Sequence, residues 1–139
     1  FSKPGRRCRH NLNYWGFGDY LGLGAGAHGK KTRADGAIVR RAKVRNPRTY
    51  VELAGQPGAS TVQLVTDRTE LKIEFLMNAL RLVDGVATHT FTLRTGLPPD
   101  SIAAGRAAAV ERGWMHDTPG RLKATPAGLD MLNAVLLLF

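Results

Sequence analysis

The chain has 139 residues, 43% of them hydrophobic, and a formal net charge of +9. It is long enough to bury a core, yet no apolar run is long enough to span a bilayer. A single cysteine, Cys8, excludes an internal disulfide and any multi-cysteine metal or iron–sulfur site built from this chain alone, and it fits a reducing, cytosolic setting.

The charge is uneven. Residues 1–50 hold twelve Lys/Arg against Asp19 and Asp35, a net of +10, whereas residues 51–139 sum to −1. Any surface for an anionic partner therefore belongs to the first part, with a boundary expected near residues 46–60. Phe1 to Arg7 has basic residues but no apolar stretch after them and no initiator Met, which reads as a piece of a longer chain and not as a signal peptide.

In chain order, Pro4-Gly5 is a turn signal, and Tyr14, Trp15, Phe17 and Tyr20 follow within one short stretch. Such an aromatic cluster is either a local core or a platform for a flat ligand. Next comes Tyr20-Leu21-Gly22-Leu23-Gly24-Ala25-Gly26-Ala27-His28-Gly29. Read as a strand, it has one apolar face (Leu21, Leu23, Ala25, Ala27) and one nearly bare face (Gly22, Gly24, Gly26, His28). Glycine weakens strands, so a bare face suggests close approach of a ligand or of another backbone; the alternative is a glycine-rich connector.

Lys30 to Ala34 are polar, Asp35-Gly36 is a hairpin turn signal, and Ala37 to Arg45 reads as a strand. Asn46-Pro47 has the form of a helix start, Gly55 ends that short helix, and Thr61 to Val65 are extended.

Asp67 and Glu70 have capping-box spacing ahead of the best-defined helix, whose stripe is Leu71, Phe75, Asn78 and Leu82. It stops at Asp84-Gly85. Pro99 or Asp100 opens a helix to Arg112, ended by Gly113. Trp114 to His116 and Arg121 to Lys123 are read as two short strands about Pro119-Gly120. Thr125-Pro126 starts a final helix facing inward through Leu129, Leu132, Val135, Leu136 and Phe139. This order is that of a winged-helix-like module.

Several chemistries can be weighed on residue types. Gly24 to Gly29 fits G-x-G-x-x-G, but Lys30-Lys31-Thr32-Arg33 follows where a dinucleotide site needs an amphipathic helix, so that reading fails. Nucleic-acid binding is not expected, because the helix that would read the groove balances Arg106 and Arg112 against Asp100 and Glu111. His89 and His116 lack acidic or cysteine partners at ligand spacing. His10, just ahead of Tyr14 and Trp15, is placed as a single imidazole beside flat aromatic residues could be placed to hold haem by one axial bond. Cys8 is either a second ligand or an inert thiol. No catalytic triad or carboxylate pair stands out.

His10-Asn11-x-x-Tyr14-Trp15 and Gly18-Asp19-Tyr20-Leu21-Gly22-x-Gly24-Ala25-Gly26-Ala27-His28-Gly29 together resemble the later part of the oxygen-independent coproporphyrinogen III oxidase-like radical SAM proteins, closest to the haem chaperone branch, HemW. Glu74-Phe75-x-Met77-Asn78-x-Leu80-Arg81-Leu82, Thr95-Gly96-Leu97 and Leu122-x-Ala124-Thr125-x-x-Gly128 resemble that family's C-terminal domain. The resemblance implies an α+β chain: residues 1–50 would be the last strands of a partial (β/α) radical SAM barrel, and residues 51–139 a helical, winged-helix-like C-terminal domain.

It also implies a [4Fe–4S] cluster held by a cysteine triad that this chain lacks, and S-adenosylmethionine (SAM) beside Gly24, Ala25, Gly26, Ala27 and His28. Haem would be bound by His10 as axial ligand, with Tyr14 and Trp15 against the macrocycle. The implied function is haem delivery to client haemoproteins; the alternative is radical decarboxylation of coproporphyrinogen III in porphyrin biosynthesis. The cations before residue 51 suit propionates in either case. Strands deprived of barrel neighbours would expose edges, so pairing between chains into a homo-oligomer is a further expectation.

Overall fold

The computed structural model describes residues 6–139, so the turn signal at Pro4-Gly5 lies outside the described residues. They are α+β and form two compact units. One is Asp19–Thr66; the other joins the residues up to Gly18 to Asp67–Phe139.

The first unit is a three-stranded antiparallel sheet in the order β1-β2-β3. β1 spans His28–Thr32, β2 Ile38–Lys43 and β3 Ser60–Leu64. The β1–β2 hairpin turns at Asp35-Gly36, where Gly36 takes φ +82° and the Asp35 carboxylate accepts from the Ala37 amide at 2.9 Å. Between β2 and β3 runs the short helix α2, Pro47–Glu52, whose N-cap Asn46 accepts from the amides of Arg48 (2.9 Å) and Thr49 (3.2 Å). These signals act as the residues suggest, because turn and cap chemistry is local. The sheet is antiparallel throughout, so it lacks the parallel strand–helix–strand repeat of a (β/α) barrel. β3 pairs with β2 along its whole length, and the compact unit therefore runs on to Thr66, past the division expected at residues 50 and 51.

The glycine-rich stretch is not a strand. Tyr20 makes one antiparallel bridge to Lys30, residues 21–27 have no strand structure, and β1 begins only at His28. The expected apolar face does not form either, since Leu21 and Leu23 are 84% and 87% exposed. Conversely, Lys30 to Thr32, expected only as a polar stretch, lie in β1. Its polar residues are carried by a partner: Lys30 is 3% exposed, and its Nζ donates to Asp19 Oδ1 at 3.0 Å.

The second unit is helical. α1 spans Arg9–Trp15, α3 Arg68–Ala79, α4 Thr88–Thr95, α5 Ala103–Glu111, α6 Pro126–Asp130 and α7 Leu132–Leu136. Asp67 caps α3, accepting from Thr69 (2.8 Å) and Glu70 (3.0 Å), and the helix buries Leu71, Phe75, Leu76, Asn78 and Ala79. Phe75 is the centre of this core, fully buried and edge-on to Phe17 (ring centroids 5.6 Å) and Phe91 (5.3 Å). Each large apolar side chain so buried contributes about 1.5–3 kcal/mol.

Two helices depart from expectation, and a further one forms where none was expected. α4 is a helix although Thr-His-Thr-Phe-Thr-Leu-Arg-Thr is rich in β-branched residues. Burial of Phe91 and the Thr95 hydroxyl donating to the Phe91 carbonyl (2.6 Å) favour it, and Gly96 closes it at φ +69°. The helix expected to Arg112 opens with a 3-10 turn, Pro99–Ile102, before α5. The final helix is broken at Met131 into α6 and α7. Of the two short strands expected about Pro119-Gly120, β5 (Arg121–Leu122) pairs with β4 (Val86–Ala87), while residues 114–116 make a single bridge, Met115 to Ala124. No helix among the described residues is long and apolar enough to cross a membrane.

Candidate functional site

Two surfaces carry the residues singled out in the sequence, one in each unit. The first is α1. Cys8 precedes it, and His10 and Tyr14 lie four residues apart, hence on one face of the helix. His10 is exposed, Tyr14 is 41% exposed, and Trp15, which lies off that face, is half-buried.

α1 is short, and its end is fixed by an unusual cap. The Gly18 amide donates to the Asn13 carbonyl (2.8 Å) and the Phe17 amide to the Tyr14 carbonyl (3.0 Å), a Schellman arrangement. The left-handed position is occupied by Phe17, at φ +57°, and not by glycine. That conformation costs a bulky residue about 1–3 kcal/mol, which burial of the Phe17 ring against Phe75 offsets. Gly18 follows because a Cβ there would lie 2.9 Å from the Asn13 carbonyl oxygen, a backbone atom, besides meeting the Asn13 side chain. The aromatic cluster thus divides: Phe17 is core, whereas Tyr14 stays at the surface. Near the start of α1, Arg7 pairs with Asp84; this contact lowers the Asp84 carboxyl and raises the Arg7 guanidinium from their ordinary values.

The second surface is the glycine segment and the sheet beside it. A Cβ at Gly22 would lie 2.2 Å from the His28 carbonyl oxygen, and one at Gly29 would lie 3.3 Å from that of Tyr20. These two glycines serve the approach of the chain to itself, sealed by reciprocal Tyr20–Lys30 amide-to-carbonyl bonds of 3.0 Å. Gly24 (φ +97°) and Gly26 (φ +68°) instead make the turn into β1. Gly26 donates to the Val44 carbonyl (2.8 Å), and the Ala27 carbonyl accepts from Lys43 (2.9 Å). A Cβ at Gly24 would meet nothing within 4 Å, so its backbone is open to a ligand.

One face of the sheet carries Val39, Arg41, Lys43 and Val62, as the register dictates, because side chains alternate along each strand. With the Tyr20–Leu23 segment this face bounds a cavity of about 520 Å³. Of the residues expected beside SAM, only Ala27 lines it. Sequence reading missed this cavity, since the register that brings Arg41 beside Gly29 and Val62 depends on β3. The cationic excess before residue 51 was the available signal.

The opposite face holds Lys30 on Asp19, whose carboxylate also accepts from the Thr32 amide (2.8 Å) and hydroxyl (2.9 Å). Burial by itself would raise the Asp19 carboxyl, but the hydrogen bonds from Thr32 and Lys30 and the Lys30 charge outweigh it, and the net shift is downward. A depressed carboxyl stabilises the fold above its unfolded value, about pH 4, and that contribution is lost as pH falls through the lower folded value. Asp19→Asn is therefore expected to destabilise the protein at neutral pH and to converge with wild type in acid-dependent melts below about pH 4. A constant difference across that range would contradict it.

His89 and His116 join no cluster, and no group of three or more His, Cys, Asp or Glu among the described residues could hold a metal ion.

Residues 66–131 match the family model of the HemN C-terminal domain. This match and the relatives below support the HemN-like radical SAM family, HemW branch, with the chain as a C-terminal part. It is 40% identical over its whole length to the heme chaperone HemW of Escherichia coli, covering 36% of that protein. It is 36% identical to the heme chaperone HemW of Haemophilus influenzae, again over the whole chain and 35% of the relative. Over 97% of its length it is 27% identical to the radical S-adenosyl methionine domain-containing protein 1, mitochondrial, of Dictyostelium discoideum, of which it covers 35%. The chain thus spans little more than a third of the curated relatives it matches. No solved structure matches it significantly.

Proposed function

We propose that the intact protein is a cytoplasmic haem chaperone, binding haem and passing it to haemoproteins. The observation that carries this reading is the display of His10-Asn11-x-x-Tyr14-Trp15 on α1, with His10 exposed and Tyr14 on the same face. Similarity over the whole chain to proteins named heme chaperone supports it.

Haem is the cargo. The imidazole of His10 offers a nitrogen lone pair to the iron, and Tyr14, on the same face of α1, offers its ring to the macrocycle. One exposed axial ligand suits a carrier: it holds the iron without burying it, and release needs no core rearrangement.

The SAM contact is assigned to Gly24, Ala25, Gly26, Ala27 and His28. The open side of Gly24 supports close approach of an adenine to bare backbone. When bound with the cluster, SAM would supply radical or regulatory chemistry to the intact protein. The cluster does not fit this chain, which has the one cysteine, Cys8.

The sheet of the first unit is proposed to extend the edge of a radical SAM barrel without repeating its strand–helix units. The helical unit is proposed to be a winged-helix-like domain, supported by α3, α4, α5 and the residue 114–124 turn.

The test is anaerobic. Coproporphyrinogen turnover and haem titration are measured on the intact protein, wild type and His10→Ala. The expected result is no vinyl-group formation, stable haem binding by wild type, and affinity at least about tenfold weaker in the variant, a loss of about 1.4 kcal/mol. Turnover without stable haem binding would replace the chaperone by the oxidase.

A further inference from the structure

One face of the three-stranded sheet is cationic. Its cavity of about 520 Å³ is in the range of small-ligand sites. Lys31, Arg33, Arg41 and Lys43 line it, and no Asp or Glu does. Lys31, Arg33 and Arg41 are exposed and make no ion pair among the described residues. Lys43 is steered by Tyr50, with Nζ 3.4 Å from the phenol oxygen and 5.4 Å from the ring centroid.

Between these cations the lining is apolar: Leu21, Leu23, Val39 and Val62. Leu21, Leu23 and Val62 are 84%, 87% and 55% exposed. Several positive charges around an apolar floor, without a counter-charge, select a ligand that is apolar in its body and multiply anionic at its edge. SAM is the wrong complement, since it carries a sulfonium and an ammonium against one carboxylate. An inorganic anion would leave the apolar floor unused.

We propose that this sheet face binds a tetrapyrrole through its carboxylates. Lys31, Arg33, Arg41 and Lys43 pair the propionates, while the Leu21–Leu23 segment and Val62 cover the ring. The inference rests on the chaperone reading and deepens it by assigning contacts to the carboxylates of the cargo.

The test separates the two. Iron-free protoporphyrin IX cannot be held through an axial bond, and its dimethyl ester has no free carboxylate. Each is titrated into the intact protein by fluorescence, alongside haem by absorbance. The variant is the double substitution Lys31→Gln with Arg41→Gln, two exposed positions, with folding checked by circular dichroism and melting.

The diacid is expected to bind at least tenfold more tightly than the ester, and the variant is expected to lose a comparable factor for the diacid. The absorbance of haem-loaded variant should keep the wild-type axial signature. Equal affinity for diacid and ester, or an unchanged diacid affinity in the folded variant, would overturn the proposal while leaving haem binding at His10 intact. Failure of wild type to bind haem or porphyrin at all would sink the chaperone reading with it. If the variant loses only affinity for a glutamate-rich peptide, the face belongs to an acidic protein segment and the proposal is wrong.

Discussion

Phe75→Ala is expected to be the most damaging single substitution in the helical unit, costing about 4 kcal/mol of stability. Phe75 is fully buried and is the ring through which Phe17 and Phe91 meet, so α1, α3 and α4 all pack on it. Truncation removes the transfer energy of the ring and leaves a cavity whose walls are themselves fixed. It also removes the contact that offsets the left-handed backbone of Phe17, so the end of α1 should loosen with it. Thermal melts of the variant should show a midpoint lower by roughly 15 °C or more. A loss below about 1 kcal/mol would mean that the core can collapse around the gap and that Phe75 does not organise it.

The second large effect is expected at Gly22. In Gly22→Ala the new Cβ would lie 2.2 Å from the His28 carbonyl oxygen and 2.8 Å from its amide nitrogen. Both are backbone atoms of a paired strand, so neither can swing aside as a side chain would. The substitution should cost about 3 kcal/mol, or lift the Tyr20–Leu23 segment off β1 and break the Tyr20–Lys30 bridge. Gly24→Ala is the control. Its φ of +97° disfavours alanine, but no neighbour lies within 4 Å, so only a backbone cost of about 1–2 kcal/mol applies. Denaturation with amide exchange at Tyr20 and Lys30 separates the cases. Equal tolerance of both substitutions would show that the segment does not need its close approach.

Those two positions also show what the sequence could and could not convey. The caps at Asn46 and Asp67, the turn at Asp35-Gly36 and the buried stripe at Leu71, Phe75 and Asn78 depend on neighbours a few residues away and form where the residues suggest, although α3 ends at Ala79, short of Leu82 and of the expected stop at Asp84-Gly85. The glycine stretch misled because period two is only a pattern; a strand also needs a partner. Here the partner of Tyr20 is Lys30, reached after a turn at Gly24 and Gly26, and the pairing stops after a single bridge. α4 was hidden by its threonines, which favour extended chain until burial of Phe91 decides otherwise.

The placement of His10 and Tyr14 on one helix face could be read because the motif is contiguous in the chain. The sheet cavity was not, because Lys31, Arg41 and Val62 share a face only through the register of three strands. Close approach of backbone was inferred correctly for Gly22, although the backbone that comes close is the chain's own.

Haem transfer is the most direct test of the central claim. The intact protein is loaded with haem, mixed with an apo-haemoprotein, and the absorbance of donor and acceptor is followed with time. The account predicts that haem leaves the loaded protein and appears in the acceptor, and that His10→Ala carries less of it under the same loading. Haem that never binds stably, together with anaerobic conversion of coproporphyrinogen, would contradict the account.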